Sequence, residues 1–423
     1  MRKAMVIGIE GDAALAWGVA AALRQPGRPE PVLIPLHDSS APATSRAGVV
    51  CLRPDGPPLA ALDRALRLTD RVLIWGVPDG ALKDAINAQI TMVGDQFVVR
   101  RAKRLPLRMR RRSDPRAARQ FLRTGDPEVL VAERSPLGRD TTRLIRALEG
   151  QRFGLALGGG GAWGFAHVAL LQSLKEAGIP VDIIAGCSMG ACIGGIYAAG
   201  GQDALDTLVA RRRWLLPAMG MSGVNVNSLR RYLEGIIGPI LLRDTEVPFL
   251  PVTADLNTSQ EVILREGTVA DGIIASSRLP PMWPAIKRAE GWLADGAILN
   301  IVPASAARRE GSDFVLAGNA IPNNPRVGEH RVGQALRAAC MLMWRSGRDR
   351  SRHADLTVDL GDPAVTMTDF AEAPMIIDRA RERLLPWIPE IQAAWSSLAP
   401  AEVAPESVED ALPDNVIPMR KAA

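Results

Sequence analysis

Short apolar runs bounded by turn residues alternate with a segment of helical period in the first hundred residues. The runs Ala4 to Ile9, Pro31 to Leu36 and Arg71 to Trp75 predict strands, and Ala13 to Leu23 has the spacing of a helix. We therefore expect a small α/β unit at the start of the chain. Its glycines form only a fragment of a phosphate-binding turn, so no ligand is assigned to it.

The same alternation returns at about Gln151 with more regular elements. Phe153 to Leu157 predicts a strand, Gly158 to Gly161 a glycine turn, and the residues after it a helix. A further strand, Val181 to Ala185, precedes another helix-like stretch. Two consecutive strand–helix pairs predict a right-handed crossover, which places both strand-to-helix loops at one edge of a parallel sheet.

The second of these loops carries the pentapeptide Gly186-Cys187-Ser188-Met189-Gly190, which has the form GxSxG. At a strand-to-helix junction this form is typical of a nucleophile elbow, where a strained turn exposes the serine hydroxyl above the sheet. Glycines at the two outer positions are expected because a Cβ there would clash with the tight backbone crossing. The pattern makes Ser188 the candidate nucleophile.

The first loop is rich in backbone N–H groups beside a helix N-terminus, which suits it to negative charge. In the expected topology it faces the elbow and would serve as an oxyanion hole. Gly159, Gly161 and Gly164 also satisfy GxGxxG, so a nucleotide-dependent oxidoreductase is an alternative. That alternative needs an acidic residue at the end of the next strand, whereas Asp182 lies at its beginning.

A serine nucleophile needs a proton acceptor, and Asp295 is the strongest candidate. A turn at Glu290-Gly291 is expected to fold the chain back as a strand that delivers Asp295 at its end. The small residues Gly296 and Ala297 allow another loop to approach the carboxylate closely. A buried carboxylate has the raised basicity needed to accept the proton directly.

Two histidines bear on this assignment. His330 follows Ser188 and Asp295 in the chain order of an α/β-hydrolase triad, so a triad stays an alternative to a dyad. His167 falls on the helix just after the glycine loop, where packing or capping is the expected role.

The order GGGxxG, GxSxG, DGA resembles the patatin-like phospholipase family, as do the segments PFLPVTADLNTSQEVILREG, ASSRLPPMWPAI and LADGAILNIVPASAARREG. The resemblance covers roughly residues 152–320, and the α/β region ahead of it is similar to the arrangement in bacterial relatives of neuropathy target esterase. It implies a Ser–Asp dyad without metal or cofactor, with Ser188 as nucleophile and Asp295 as base, acting on a lipid ester such as a phospholipid or lysophospholipid. The implied oxyanion donors and the residues that support the motifs are Gly159, Gly160 and Gly161, then Gly164, Gly186, Gly190, Gly296, Ala297 and Asn300.

The expected fold class is α/β, with a patatin-like three-layer α/β/α hydrolase domain after a smaller, Rossmann-like α/β domain. We assign residues 1–150 to the N-terminal domain with a basic linker and residues 151–320 to the catalytic domain. Residues 321–398 are expected to complete the catalytic domain with mainly helical structure, and residues 399–423 to form a disordered tail.

One residue departs from the family pattern. The glycine loop commonly carries Arg or Lys where this chain has Trp163. Loss of that cation favours a neutral or apolar substrate over an anionic phospholipid. It also raises a second hypothesis, a catalytically impaired lipid- or membrane-binding protein in which Trp163 obstructs the oxyanion hole.

Charge adds one further feature. The net charge of +5 is too small to demand a nucleic-acid partner, but ten of the 21 residues from Arg100 to Gln120 are Lys or Arg. No aromatic residues interleave them for base stacking, so nucleic acid is not expected. The segment fits either a solvated linker or contact with an anionic membrane surface.

Compartment and membrane topology follow from the remaining composition. Four cysteines without a CxxC pair suit a reducing compartment, and acidic residues at positions 10 and 12 interrupt any secretion signal. The uncharged stretch Ile183 to Gln202 is long enough to cross a bilayer, but its glycines fit the elbow better. We expect a cytoplasmic protein, with a peripheral position at the inner membrane face as an extension of that expectation.

Overall fold

The computed structural model describes residues 151–398, apart from 220–225, 290 and 327–330. It also describes Gly150, four helical positions between residues 139 and 146, and four short strands in the first hundred residues. The chain divides into two compact units, one of them Gln151–Leu398 and the other Met1–Gly150 with Ala399–Ala423. We describe each unit by itself.

The described part of the N-terminal unit is a parallel four-stranded sheet of order β2-β3-β1-β4. Its strands are β1 Met5–Gly8, β2 Val32–Ile34, β3 Val49–Leu52 and β4 Val72–Ile74. The three strands predicted from apolar runs are confirmed, each one or two residues shorter at either end. β3 was not predicted from the sequence.

Three expectations for this unit lie outside the described residues. They are the helix at Ala13 to Leu23, the basic segment Arg100 to Gln120 and the tail 399–423.

The second unit is built on an eight-stranded mixed sheet of order β12-β11-β5-β6-β7-β10-β9, with β8 paired to β7. Strands β12, β11, β5, β6 and β7 run parallel to one another. Strands β8 and β10 run antiparallel to β7, and β9 runs antiparallel to β10. The bounds are β5 Phe153–Leu157, β6 Ile183–Gly186, β7 Phe249–Asp255, β8 Gln260–Ile263, β9 Ile286–Arg288, β10 Gly291–Asp295, β11 Phe314–Asn319 and β12 Leu356–Asp359.

Helices connect these strands. They are α1 Ala166–Glu176, α2 Met189–Ala210, α3 Leu215–Met219, α4 Val226–Ile237, α5 Val269–Ser276, α6 Ala304–Arg309, α7 Arg331–Arg350, α8 Ala373–Leu384 and α9 Trp387–Ser396. A short 3-10 helix, Gly161–Phe165, lies between the glycine turn and α1.

The helices cover both faces of the sheet. The steps from β5 to β6 and from β6 to β7 move across the sheet in one direction, whereas the step from β11 to β12, which carries α7, moves in the other. Because such crossovers are right-handed, α1 and α2 lie on one face and α7 on the opposite face. The three-layer α/β/α architecture expected from the sequence is confirmed.

Burial on both faces explains the apolar sequences of the central strands. Every residue of β5, β6, β7 and β11 is buried, as expected for strands covered on both faces. Neighbouring parallel strands β5 and β6 end at the glycine turn and the GxSxG loop, which brings those loops to one edge of the sheet.

The stretch Ile183 to Gln202, considered as a membrane span, is instead β6, the elbow and the first part of α2. Among the described residues no helix combines the length and apolar character needed to cross a bilayer.

Candidate active site

Ser188 stands between β6 and α2 in a strained turn. Its φ of 55° and ψ of −123° lie in a region that residues with side chains rarely adopt. The N–H of Cys187 donates to the carbonyl of Leu157 at 3.1 Å, and the N–H of Gly190 donates to the carbonyl of Cys187 at 2.8 Å. These bonds hold the turn, and Ser188 remains partly exposed at its apex.

Close backbone approach explains the glycines of the motif. A Cβ on Gly186 would lie 2.6 Å from the Cα of Ala191, and a Cβ on Gly190 would lie 2.1 Å from the carbonyl oxygen of Leu157. Since real Cβ atoms do not approach backbone this closely, any larger residue would push α2 away from β5 or β6. On the glycine loop, Gly159 packs against the Ser188 side chain and Gly164 against Met189.

Asp295 ends β10 and is only 1% exposed. Its Oδ1 accepts the N–H of Ala297 at 2.9 Å and the thiol of Cys187 at 3.5 Å. The carboxylate lines the same pocket as Ser188, whose side chain is near enough to affect its pKa. Gly296 is required beside it, because a Cβ there would lie 2.5 Å from the carbonyl oxygen of Val252.

Burial controls the chemistry of this carboxylate. Desolvation raises the pKa of Asp295 from 3.8 to about 6, against the opposing effect of the hydrogen bonds from Ala297 and Cys187 and of the nearby Ser188 side chain. A carboxylate with that pKa is ionised at neutral pH and still basic enough to accept a proton from a serine hydroxyl during reaction.

The glycine loop lies against Ser188, but its three candidate oxyanion donors are not equivalent. The N–H of Gly159 donates to the carbonyl of Ile301 at 3.0 Å and is already occupied. The N–H groups of Gly160 and Gly161 donate to no backbone carbonyl of the described residues. Gly161 also lines the same pocket as Ser188 and Asp295, so the available donors are those of Gly160 and Gly161.

That pocket is lined almost entirely by apolar side chains. Asp295 is the one charged residue among its lining residues in the described part of the chain. The walls come from helices α3, α4 and α5, from residues 279–283 and from residues 367–370. Their apolar members include Leu215, Leu216, Met219, Leu229, Ile273, Leu279, Met282, Trp283, Met367 and Phe370. An apolar slot that ends at a serine and a carboxylate fits an acyl chain whose ester carbonyl reaches Ser188.

Trp163 does not obstruct this pocket. It is buried at 1% exposure, is not among the pocket-lining residues, and donates its indole N–H to the carbonyl of Val365 at 3.0 Å. The neighbouring N–H of Ala162 donates to the carbonyl of Met367 at 2.8 Å. Trp163 therefore anchors the glycine loop to the segment that forms one pocket wall.

The histidines do not supply an alternative base among the described residues. His167 is fully buried, donates from Nε2 to the carbonyl of Gly158 at 2.8 Å, and has its pKa lowered by burial to about 4. It is not among the pocket-lining residues, which agrees with the packing role expected for it. His353 lies in a separate polar hollow with Arg350 and Arg352. His330, the third member of the possible triad, lies outside the described residues.

Two residues of the site were not among those predicted from the sequence. Cys187 was noted only as a member of the pentapeptide, yet its thiol contacts the Asp295 carboxylate. Ser276, at the end of α5, accepts the N–H of Ser188 on its Oγ at 3.0 Å and donates to the carbonyl of Val252 at 2.6 Å. Ser276 lies within the segment ASSRLPPMWPAI, but nothing in its local pattern distinguishes it from a helix-end serine.

Asn300 lies behind the site, not in it. It is buried, and its Nδ2 donates to Ser305 Oγ at 3.0 Å and to the carboxylate of Glu261, which also pairs with Arg309. This network ties the chain after the DGA turn to β8 and α6, in line with the supporting role expected for Asn300.

Part of this chain is similar to known proteins. Residues 155–308 match the family model described as patatin-like phospholipase, a range that contains Ser188, Asp295 and the glycine loop. An uncharacterized NTE family protein of Mycobacterium bovis is 29% identical over 334 residues, which is 72% of this chain and 54% of that protein. This chain thus spans about half the length of that relative.

Two further similarities are more partial. Patatin-like phospholipase domain-containing protein 6 of Mus musculus is 30% identical over 204 residues, 45% of this chain and 15% of that protein. The crystal structure of VipD from Legionella pneumophila aligns with 57% of this chain and 67% of its own at a TM-score of 0.34 and 14% identity. With the matched range containing the elbow and the DGA turn, the region from residue 155 to residue 308 is a domain of the patatin-like phospholipase family.

Proposed function

We propose that this protein is a serine hydrolase that cleaves lipid esters through a dyad of Ser188 and Asp295. The observation that carries the proposal is that the partly exposed elbow serine and a fully buried carboxylate, whose pKa is raised to about 6, line the same apolar pocket.

The residues have distinct roles in the reaction. Ser188 Oγ attacks the ester carbonyl carbon while Asp295 takes the hydroxyl proton, and the N–H groups of Gly160 and Gly161 stabilise the oxyanion. The tetrahedral intermediate then collapses, and the leaving alcohol takes the proton from Asp295. Water attacks the acyl-enzyme and gives a proton to Asp295, and the proton returns to Ser188 as the fatty acid leaves.

The substrate class follows from the pocket. No cation lines it in the described part of the chain, so the pocket favours an acyl chain and offers no charge partner for a phosphate. A phospholipid or lysophospholipid would therefore bind with its acyl chain inside and its headgroup outside. Cytoplasmic location and membrane contact through Arg100 to Gln120 stay predictions.

The second hypothesis, an impaired lipid-binding protein, depended on Trp163 blocking the oxyanion hole. The indole is instead buried and hydrogen-bonded to Val365, away from the pocket-lining surface. That placement favours the hydrolase.

A covalent probe tests the proposal directly. Incubation of the purified protein with a fluorophosphonate should add one phosphonyl group, seen by intact mass, because the activated Ser188 displaces fluoride. Ser188→Ala should remain unlabelled, and Ser173→Ala, which changes a buried serine on α1, should label as the unmodified protein does. Absence of labelling in the folded native protein, or labelling that persists in Ser188→Ala, would contradict the dyad.

A further inference from the structure

Two large apolar side chains are exposed beside the pocket. Trp214 is 69% exposed and immediately precedes Leu215, which lines the pocket. Met282 is 41% exposed and lines the pocket itself. Both therefore lie next to residues of the apolar walls that lead to Ser188.

Basic side chains flank this apolar surface. Arg211 and Arg213 are exposed, and neither forms an ion pair with the described residues, although Arg211 donates from Nη1 to the carbonyl of Gly235 at 3.2 Å. Arg212 between them is used internally, since its Nε donates to the carbonyl of Ala371 at 2.8 Å and its Nη1 to the carbonyl of Val209 at 3.0 Å. We call the exposed side chains of Arg211, Arg213, Trp214 and Met282 the rim surface.

The rim surface complements the pocket. The pocket accepts acyl chains but holds no cation in the described residues, whereas the rim carries cations beside an indole and a thioether. Indoles favour the boundary between lipid headgroups and acyl chains, and arginines favour anionic headgroups. The order of apolar pocket, aromatic mouth and basic edge matches the order of acyl chain, interface and headgroup in a bilayer.

We propose that the rim surface docks this protein on an anionic phospholipid bilayer, with Trp214 and Met282 in the interfacial layer and Arg211 and Arg213 against the headgroups. A lipid then passes into the pocket acyl chain first without crossing water. The inference rests on the proposed lipid-ester hydrolase but involves residues outside its dyad, and it is separate from any contact made by Arg100 to Gln120.

Co-sedimentation with vesicles tests the docking. The full chain is mixed with vesicles of phosphatidylcholine containing phosphatidylglycerol, and with vesicles of phosphatidylcholine alone. Trp214→Ala should weaken binding to the anionic vesicles at least about tenfold, through lost apolar burial. Arg213→Gln should weaken it about fivefold, as expected for one basic residue near an anionic leaflet, and should reduce its dependence on salt.

Matched controls come from exposed residues elsewhere in the same unit. Trp292 is 43% exposed on β10 and does not line the pocket, and Arg345 is exposed on α7. Trp292→Ala and Arg345→Gln should bind both kinds of vesicle as the unmodified protein does. Thermal unfolding of each variant checks that the change has not unfolded the protein.

A soluble short-chain ester separates docking from catalysis. Trp214→Ala and Arg213→Gln should hydrolyse a monomeric p-nitrophenyl ester at the unmodified rate while losing turnover of vesicle lipid. Vesicle binding is also measured in Ser188→Ala, so the docking proposal can be judged even if the dyad fails. Unchanged vesicle affinity in both rim variants would overturn the docking. The docking would also be overturned if sedimentation showed that Trp214→Ala loses a dimer formed by the unmodified protein while its vesicle affinity stays unchanged. That result would assign the rim surface to contact with a second copy of the chain.

Discussion

At the scale of single residues, the chemistry depends on how Asp295 is surrounded. The carboxylate lies beside Ala297 and Cys187, both buried, and accepts hydrogen bonds from one backbone N–H and one thiol. Weak solvation keeps its basicity high, and few strong donors oppose it. The same environment makes its ionised form costly to the fold.

That balance predicts a pH dependence of catalysis. The base must be ionised to accept the proton, so ester turnover and fluorophosphonate labelling should fall as pH drops through about 6, the pKa of Asp295, with the slope of a single proton. Rates measured from pH 4.5 to 8 check this. An acid limb near pH 4 would show that the carboxylate is solvated in solution.

The same pKa predicts a stability change in Asp295→Asn. Between pH 3.8 and about 6 the folded protein keeps the proton that the unfolded chain has lost, so wild-type stability falls as pH rises through this window. Asp295→Asn removes the buried charge, so its free energy of unfolding at pH 8 should be roughly 2 kcal/mol higher than that of the wild type. Denaturant titration should find the difference near zero at pH 3.5. Equal stability at both pH values would contradict a buried, charged Asp295.

At the scale of elements, two strand–loop–helix units produce the site. β5 leads into the glycine loop and β6 into the elbow, and parallel pairing of Leu157 with Gly186 sets the two loops side by side. The elbow can form only if α2 begins in contact with the end of β5, which is where Gly190 lies.

This contact predicts opposite effects for two glycine-to-alanine changes. Gly190→Ala puts a Cβ 2.1 Å from the backbone of Leu157 and should lower the free energy of unfolding by about 3 kcal/mol or more, with loss of labelling. Gly235→Ala lies inside α4, where the added Cβ meets only the Arg211 side chain at 3.7 Å. This change should raise the free energy of unfolding by about 0.5 to 1 kcal/mol, because alanine has a higher helix propensity than glycine. Urea denaturation of both variants measures this. A neutral Gly190→Ala would mean that α2 can move without cost.

At the scale of the whole molecule, the site residues named here all belong to the unit Gln151–Leu398. The first and last elements of that unit are in contact. Trp395 on α9 donates its indole N–H to the carbonyl of Gln151 at 2.9 Å and packs edge-on against Phe153. Its core runs from β5 through the central strands to α8 and α9.

We therefore expect a fragment of residues 151–398 to fold and to keep its active serine. It should label with a fluorophosphonate as the full chain does, and a shorter fragment that ends at residue 386 should be destabilised, because it lacks the Trp395 contacts with Gln151 and Phe153. Circular dichroism and intact mass compare the three proteins. An unfolded 151–398 fragment would show that this unit depends on the rest of the chain.

Local patterns were sufficient for the elements and motifs at the centre of the site. A buried strand followed by glycines and a helix is specified by neighbouring residues, so β5, the elbow at Ser188 and the hairpin that delivers Asp295 could be predicted with shifts of one or two residues. β6, for example, begins at Ile183, two residues after the predicted start.

The sequence alone identified the candidate nucleophile, its candidate base and the sheet edge that brings the glycine loop and the elbow together, because short segments of the chain carry each of these signals. The availability of particular glycine N–H groups, the burial of Trp163 and the basic, aromatic rim beside an apolar pocket emerged only from the packed structure. Those features depend on approach between distant segments, such as Trp163 and Val365, 202 residues apart. Packing of the whole core, which no local pattern encodes, sets those approaches.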